Sequence, residues 1–323
     1  MRVVVRILLA CCALAALAAP AAAQTYPSRP IKLLVSFPPG GASDLIGRVI
    51  GAVLSERLGQ PIVVENRPGA NGNVAGEAAA RAAPDGYTLL LGPSALFAIN
   101  PHLYARMPID PLRDLAPLAS LVENELVLAA NPALTAGMDF RGFVELARKS
   151  QPPLFYASIG NGSEHHLSME LLKRAAGIDL THVPYKGGGP AALGVIAGNT
   201  AAMFGGGSVV PLIKSGQLHA LAVTSTKRSK VLPDLPAIAE VYPGYEVTLW
   251  QGLFAPVGTP NAVVERLRKE AAIVRVLPEV AQKIAAAGAG EPWVTTEAEF
   301  AAQIRADNEK FGKVIETIGV KIQ

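Results

Sequence analysis

The sequence predicts an α/β protein of about two domains with mixed, mostly parallel sheets. Three observations carry that expectation. Apolar runs of strand length alternate with stretches of helical period. Glycine-rich corners recur where those runs end. Roughly 300 residues follow an N-terminal export segment, enough for two full cores.

The export segment comes first. Arg2 and Arg6 precede an apolar stretch over 7–19, then Pro20 and Ala21-Ala22-Ala23, the layout of a signal cleaved after Ala23. Leu8-Leu9-Ala10-Cys11 loosely resembles a lipoprotein cleavage box, but most of the apolar run lies beyond it. Cys11 and Cys12 are the only cysteines and leave with the segment, so the mature chain has no disulfide framework, thiol nucleophile or Cys-based metal site. Without Arg2 and Arg6 the formal charge falls from +3 to +1, and no basic cluster interleaved with aromatics suggests a nucleic-acid surface. No second apolar run reaches membrane-spanning length.

The run 31–37 reads as a buried strand. It breaks at Pro38-Pro39-Gly40-Gly41 and reopens as a helix over 45–58, with Ile46, Val49, Ile50, Val53, Leu54 and Leu58 on one face. Ser43 is the expected N-cap. Gly40 and Gly41 leave bare amides which, with the first-turn N–H groups, form a seat for a carboxylate or phosphate. A strand over 62–65, a turn over 66–72, a helix over 73–83 and a strand over 87–91 follow. That strand ends at Gly92-Pro93-Ser94, where Ser94 either faces the same cleft as Gly40 or sits in an ordinary turn. Residues 100–121 are Pro-rich and weakly periodic, and read as connection.

A second series begins with a strand over 125–130. The run 155–158 exits through Ile159-Gly160-Asn161-Gly162-Ser163, with Ser163 as cap and Gly177 as stop of the next helix. A third corner is Tyr185-Lys186-Gly187-Gly188-Gly189-Pro190, with Pro190 at the first helical position. The fourth is Gly205-Gly206-Gly207-Ser208. Strands over 218–224 and 249–256 and helices over 261–277, 278–287 and 295–318 complete the chain. Glycines bunched at successive strand ends suggest one face kept open to a ligand.

Enzyme motifs fail one by one. Gly160-Asn161-Gly162 opens like a dinucleotide fingerprint, but His165 stands where the last glycine belongs, and no phosphate-loop Gly-Lys-Ser/Thr occurs. Neither Ser94 nor Ser208 lies in a G-x-S-x-G elbow. His165 and His166 point in two directions on a helix and make no chelate; one faces the cleft as a donor, or both cap and pack the helix start. Lys186 is a carboxylate partner or a solvated lysine, and Phe37 and Tyr185 are apolar walls or core. Asp44 would repel an anion, so capping its helix and bracing the corner is its expected role. No cofactor or metal is expected.

FPPGGASD, VENRPGANGNVAGEAAARAAPDGYTLLLG, YASIGNGSEHHLSMELLK, HVPYKGGGPA, IKSGQLHALAVTS, LPDLPAIAE and WQGLFAPVGTP, in that order, resemble the Bug-type periplasmic solute-binding proteins, receptors of tripartite tricarboxylate transporters. The resemblance spans essentially the whole mature chain. It implies a periplasmic, monomeric two-domain flytrap with two chain crossovers and helices on both sheet faces. One domain is then residues 24–124 plus 250–323, the other 125–249. The ligand is a small carboxylate handed to membrane transporter subunits. Matching positions are Phe37, Gly40, Gly41, Ala42 and Asp44 in the first loop and Ser94 in the second. The other domain matches at Ser158, Gly160, Asn161, Gly162, His166, Tyr185, Lys186, Gly187, Gly205 and Ser208. Similar proteins commonly carry an acid after the Met-Phe pair. Gly205 stands there instead, which argues against an amino-acid ligand. A sensor docking on a signalling partner, or an exported enzyme acting on a small acid, are the competing readings.

Overall fold

The structure is a computed structural model and describes residues 26–322; the export segment and its two cysteines lie outside them. Eleven strands among the described residues form two mixed sheets. In chain order they are β1 (Ile31–Val35), β2 (Ile62–Asn66), β3 (Thr88–Pro93), β4 (Leu115–Glu125), β5 (Val127–Ala130), β6 (Leu154–Ser158), β7 (Leu180–Pro184), β8 (Ala202–Gly205), β9 (His219–Val223), β10 (Thr248–Pro256) and β11 (Glu291–Pro292). The main helices are α1 (Ala42–Leu58), α2 (Asn73–Ala80), α3 (Ser94–Ala98), α4 (Phe140–Lys149), α5 (Glu164–Ala176), α6 (Gly188–Ile196), α7 (Asn261–Val274), α8 (Pro278–Ala286) and α9 (Glu297–Ile318).

The first sheet has the order β11-β4-β10-β3-β1-β2. β1 runs parallel to β2 and β3, while β10 is antiparallel to β3 and β4. Successive residues of a strand point to opposite faces, and both faces are buried here. Ile31, Leu33, Val35, Leu89 and Leu91 pack on α1, α7 and α8 through Ile46, Ile50, Leu267 and Val280. Leu34 and Leu90 pack the other way, on Ala75, Leu96, Phe97, Trp250, Phe254 and Phe300.

The second sheet has the order β7-β6-β8-β5-β9, with β5 antiparallel to both neighbours. Leu128, Tyr156 and Phe204 face α4 and α5, and Ala129, Ala157 and Met203 face α6. The α4–α5 cluster also takes in Ala95, Leu103, Phe311 and Val314, so residues of α3 and α9 close it from the other half.

The chain crosses between the sheets twice, from β4 through Leu126 into β5, and from β9 back into β10. Buried Thr224 clasps both crossings. Its N–H donates to Leu126 O, and its Oγ accepts from Leu126 N at 2.9 Å. The same Oγ donates to Val247 O at 2.6 Å, and Val247 N donates to Thr224 O.

Two expectations are overturned. The sheets are mixed but not mostly parallel, with four parallel and five antiparallel pairings, because the two crossing strands β5 and β10 run against their neighbours. The segment 100–121, expected as connection, runs into β4 (Leu115–Glu125), an eleven-residue strand paired on both sides. Pro117 and the prolines before it mask its apolar character, and the register against β10 skips beside Pro117, a place where a proline is tolerated. Elsewhere the read elements recur with ends shifted by a few residues. β1 stops at Val35 and α2 at Ala80. Pro190 is the third residue of α6, behind an N-cap at Gly187.

Candidate functional site

A cavity of about 560 Å³ opens at the carboxyl end of β1, large enough for a small organic molecule. The corner from Phe37 to Ser43 forms one wall. Pro93 and Ser94, Val122 and Asn124 of β4, Leu249, Trp250 and Gln251 of β10, Ala289, and Glu164 of α5 form the rest. Glu164 alone comes from the second sheet's half. Gly207 approaches the Gly288 carbonyl so closely that a Cβ there would lie 2.4 Å from it, so the two halves meet beside the Ala289 wall.

The first corner differs from expectation in its cap. Gly41 is the N-cap of α1, without a side-chain hydrogen bond, and Ser43 is already inside the helix. The N–H groups of Ala42, Ser43 and Asp44 therefore have no capping oxygen and no intrahelical carbonyl. Gly40 turns the chain at φ +83°, but its amide is not free for a ligand. It donates to Asp44 Oδ2 at 3.0 Å, which also accepts from Arg48 Nε, while Asp44 Oδ1 accepts from Asn66 Nδ2 at 2.9 Å. The Arg48 hydrogen bond foremost, then the Gly40 amide, hold the Asp44 carboxyl at about 2. Asp44 thus braces the corner from behind the cavity wall.

The second corner satisfies itself. Ser163 Oγ accepts from His166 N at 3.2 Å and donates to Gly160 O at 2.7 Å. Gly162 N donates to His166 Nδ1 at 3.0 Å, and Gly160 N donates to Ser158 Oγ at 3.1 Å. The His166 ring lies 3.9 Å from that of His182, nearly parallel, and His182 stacks in turn on Tyr156. His182 Nε2 is 2.6 Å from Ser158 Oγ. Burial lowers the pKa of His165, His166 and His182 to about 4 each, so the three rings are neutral at pH 7.

Of the residues singled out from sequence, Phe37, Gly40, Gly41, Ala42 and Ser94 line the cavity and Asp44 lies directly behind it. Ser158, Gly160, Gly162 and His166 knit the second corner, and Asn161 is exposed on it. Tyr185 packs its ring on Gly194, and its amide donates to Ser158 O. Lys186 is exposed and makes no ion pair among the described residues. Gly187 starts α6 without a side-chain cap, and exposed Ser208 lies beside Gly188. Gly205 pairs with Val127 in the sheet, and a Cβ on it would meet the Val209 side chain at 2.4 Å. None of these second-half residues lines the cavity.

Sequence reading missed Glu164. The cavity does carry a carboxylate, from position 164 rather than 205. Glu164 Oε1 accepts from Ser94 Oγ at 2.5 Å, joining the two halves. Burial raises its pKa to about 7, against the lowering effect of the Ser94 hydrogen bond and with a further push from Asp307. The available signal was its place, the first helical residue after a cap at a corner already suspected. Asn124 falls between the expected connection (100–121) and the expected strand (125–130), and Trp250 and Gln251 lie on a strand expected without a part in the cleft.

Among the described residues no helix is long and apolar enough to cross a membrane, and no group of three His, Cys, Asp or Glu is placed to hold a metal ion. Residues 46–320 match the family described as tripartite tricarboxylate transporter family receptor. Protein BugT of Bordetella pertussis is 36% identical over 315 residues, 96% of each chain. Among solved structures, a protein of R. palustris with adipate is 32% identical with a TM-score of 0.76, covering 92% of this chain and 99% of that one. The periplasmic binding protein BugD is 30% identical with a TM-score of 0.74, covering 92% and 100%. MatC of Rhodopseudomonas palustris with bound malate is 30% identical with a TM-score of 0.73, covering 90% and 100%. The matched family is one of receptors, BugD is described as a periplasmic binding protein, and MatC holds bound malate.

Proposed function

The chain belongs to the tripartite tricarboxylate transporter receptor family, and on that premise we propose that it captures a small carboxylate in the cavity and delivers it to a membrane transporter. The observation that carries this reading is the uncapped start of α1. Three N–H groups there lack partners in the helix, at the positive end of its dipole, and the corner that holds them forms a cavity wall.

Among the described residues, 26–125 with 248–322 form one lobe and 126–247 the other, one or two residues from the expected bounds and hinged at the two crossings. A carboxylate seated on the α1 amides favours the closed arrangement only through contacts it gains from the second lobe. The uncapped helix start at Gly187 and the exposed Lys186 beside it are candidates for those contacts. Each helix-terminus or charge-assisted hydrogen bond contributes about 0.3–2 kcal/mol, and micromolar affinity corresponds to about 8 kcal/mol, so several donors must converge. Export by the N-terminal segment, with cleavage after Ala23, places the receptor in the periplasm.

A thermal-shift screen with mono-, di- and tricarboxylates, followed by calorimetry, tests the capture step. Stabilisation by at least one carboxylate is expected; none by any of them overturns the reading. Loss of uptake of that carboxylate on deleting the gene, restored by the full chain, tests delivery.

A further inference from the structure

The cavity has two chemically opposite walls. The α1 start presents hydrogen-bond donors, whereas the wall of Ser94, Glu164 and Gln251 presents acceptors. Ser94 gives its hydroxyl hydrogen to Glu164 and receives the Trp250 amide at 3.4 Å, so it has little left to donate. Gln251 Oε1 is enclosed and has no partner. Glu164 makes no ion pair among the described residues, and no lysine or arginine lines the cavity. The neighbours of Glu164 add no positive charge at its carboxylate. From α9 comes Asp307, which raises the Glu164 pKa and is itself engaged by Trp250 Nε1 and Lys310. From α3 comes Ser94. On α5 itself stands His165, held neutral at pH 7 by burial.

A second carboxylate against this wall would face the Glu164 carboxylate, with like charges opposed wherever Glu164 is ionised. A hydroxyl, amide or ammonium group would instead find the remaining lone pairs of the Glu164 carboxylate. We propose that the ligand is a monocarboxylate bearing an O–H or N–H donor at its other end, and that Glu164 is the specificity-determining residue that reads that donor. This rests on the receptor reading above and narrows its ligand class.

The test compares dicarboxylates with their monoamides of equal length, succinate with succinamate and glutarate with glutaramate, by calorimetry on the full mature chain. With Glu164 titrating at about 7, it is ionised at about pH 8.5 and protonated at about pH 5.5. At about pH 8.5 each monoamide is expected to bind about tenfold or more tighter than its dicarboxylate. At about pH 5.5 the protonated Glu164 can itself donate to a carboxylate, and the ratio is expected to shrink. Glu164→Gln is expected to bring the ratio close to unity at both pH values. Equal or tighter dicarboxylate binding by the wild type at the higher pH overturns the inference, as does an unchanged ratio in Glu164→Gln. The wild-type comparison decides alone where that variant fails to fold. Binding without discrimination defeats this inference only, whereas no binding by any carboxylate defeats the receptor reading with it.

Discussion

The corners at Gly40 and Gly160 share one plan, a buried strand, a glycine turn, a serine and a helix, yet their backbones end in opposite states. At Gly160 the serine caps, the following histidine takes a turn amide, and most of the polar groups are satisfied inside the corner. At Gly40 the serine has slipped into the helix, the aspartate next to it holds the loop from behind, and the helix start is left bare toward a cavity. A glycine-rich exit is therefore no binding site in itself. What distinguishes the two is where each amide finds its acceptor.

The strongest way to break the comparison is Ala42→Pro. Proline suits the first helical position and the extended Gly41 before it, so it removes one cavity-facing donor without disturbing α1. Carboxylate affinity is expected to fall about tenfold or more with thermal stability nearly unchanged, read by calorimetry and melting. Unchanged affinity would show that the bare start is not the seat.

The second corner should respond to acid. His165, His166 and His182 have folded pKa values of about 4 against an ordinary 6.5, chiefly through burial. Their stabilising effect is complete above 6.5 and is lost as pH falls toward 4. Glu164, with its raised pKa, works in the opposite direction, costing stability as pH rises toward 7. With three groups against one, Tm is expected to drop by about 5 °C between about pH 7 and about pH 5, and His166→Asn should flatten that slope.

Asp44→Asn tests the brace at the first corner. Asparagine cannot accept from Gly40, Arg48 and Asn66 as a carboxylate does, so a loss of about 1–3 kcal/mol in urea unfolding is expected, with affinity weakened a fewfold. In the wild type this contribution is intact above about 4 and disappears as pH falls toward about 2. The smallest contrast is between the serines. Ser163→Ala should cost about 1 kcal/mol and leave affinity alone, whereas Ser43→Ala, which removes no cap, should cost about 0.5 kcal/mol or less.

The alternation of strands and helices and the four corners were legible because burial on both faces and glycine turns leave strong local marks. β1, α1, α5 and the Ser163 cap follow directly from them. β4 was hidden because its pairing depends on β10, more than a hundred residues away, and its prolines carry a local signal of the opposite sense. Ser43 and Ser163 look equivalent in sequence, and only the path of the chain decides which one caps. Glu164 could not be found by motif, since its role comes from Ser94 arriving opposite it across the two halves.

Thr224 ties Leu126 and Val247 together with hydrogen bonds on both its backbone and its hydroxyl. Sliding one crossing past the other would rupture all of these at once, whereas a swing about that point leaves them intact. In the hinge proposed above, Thr224 would serve as the axle, resisting shear between the two crossings more than rotation about them.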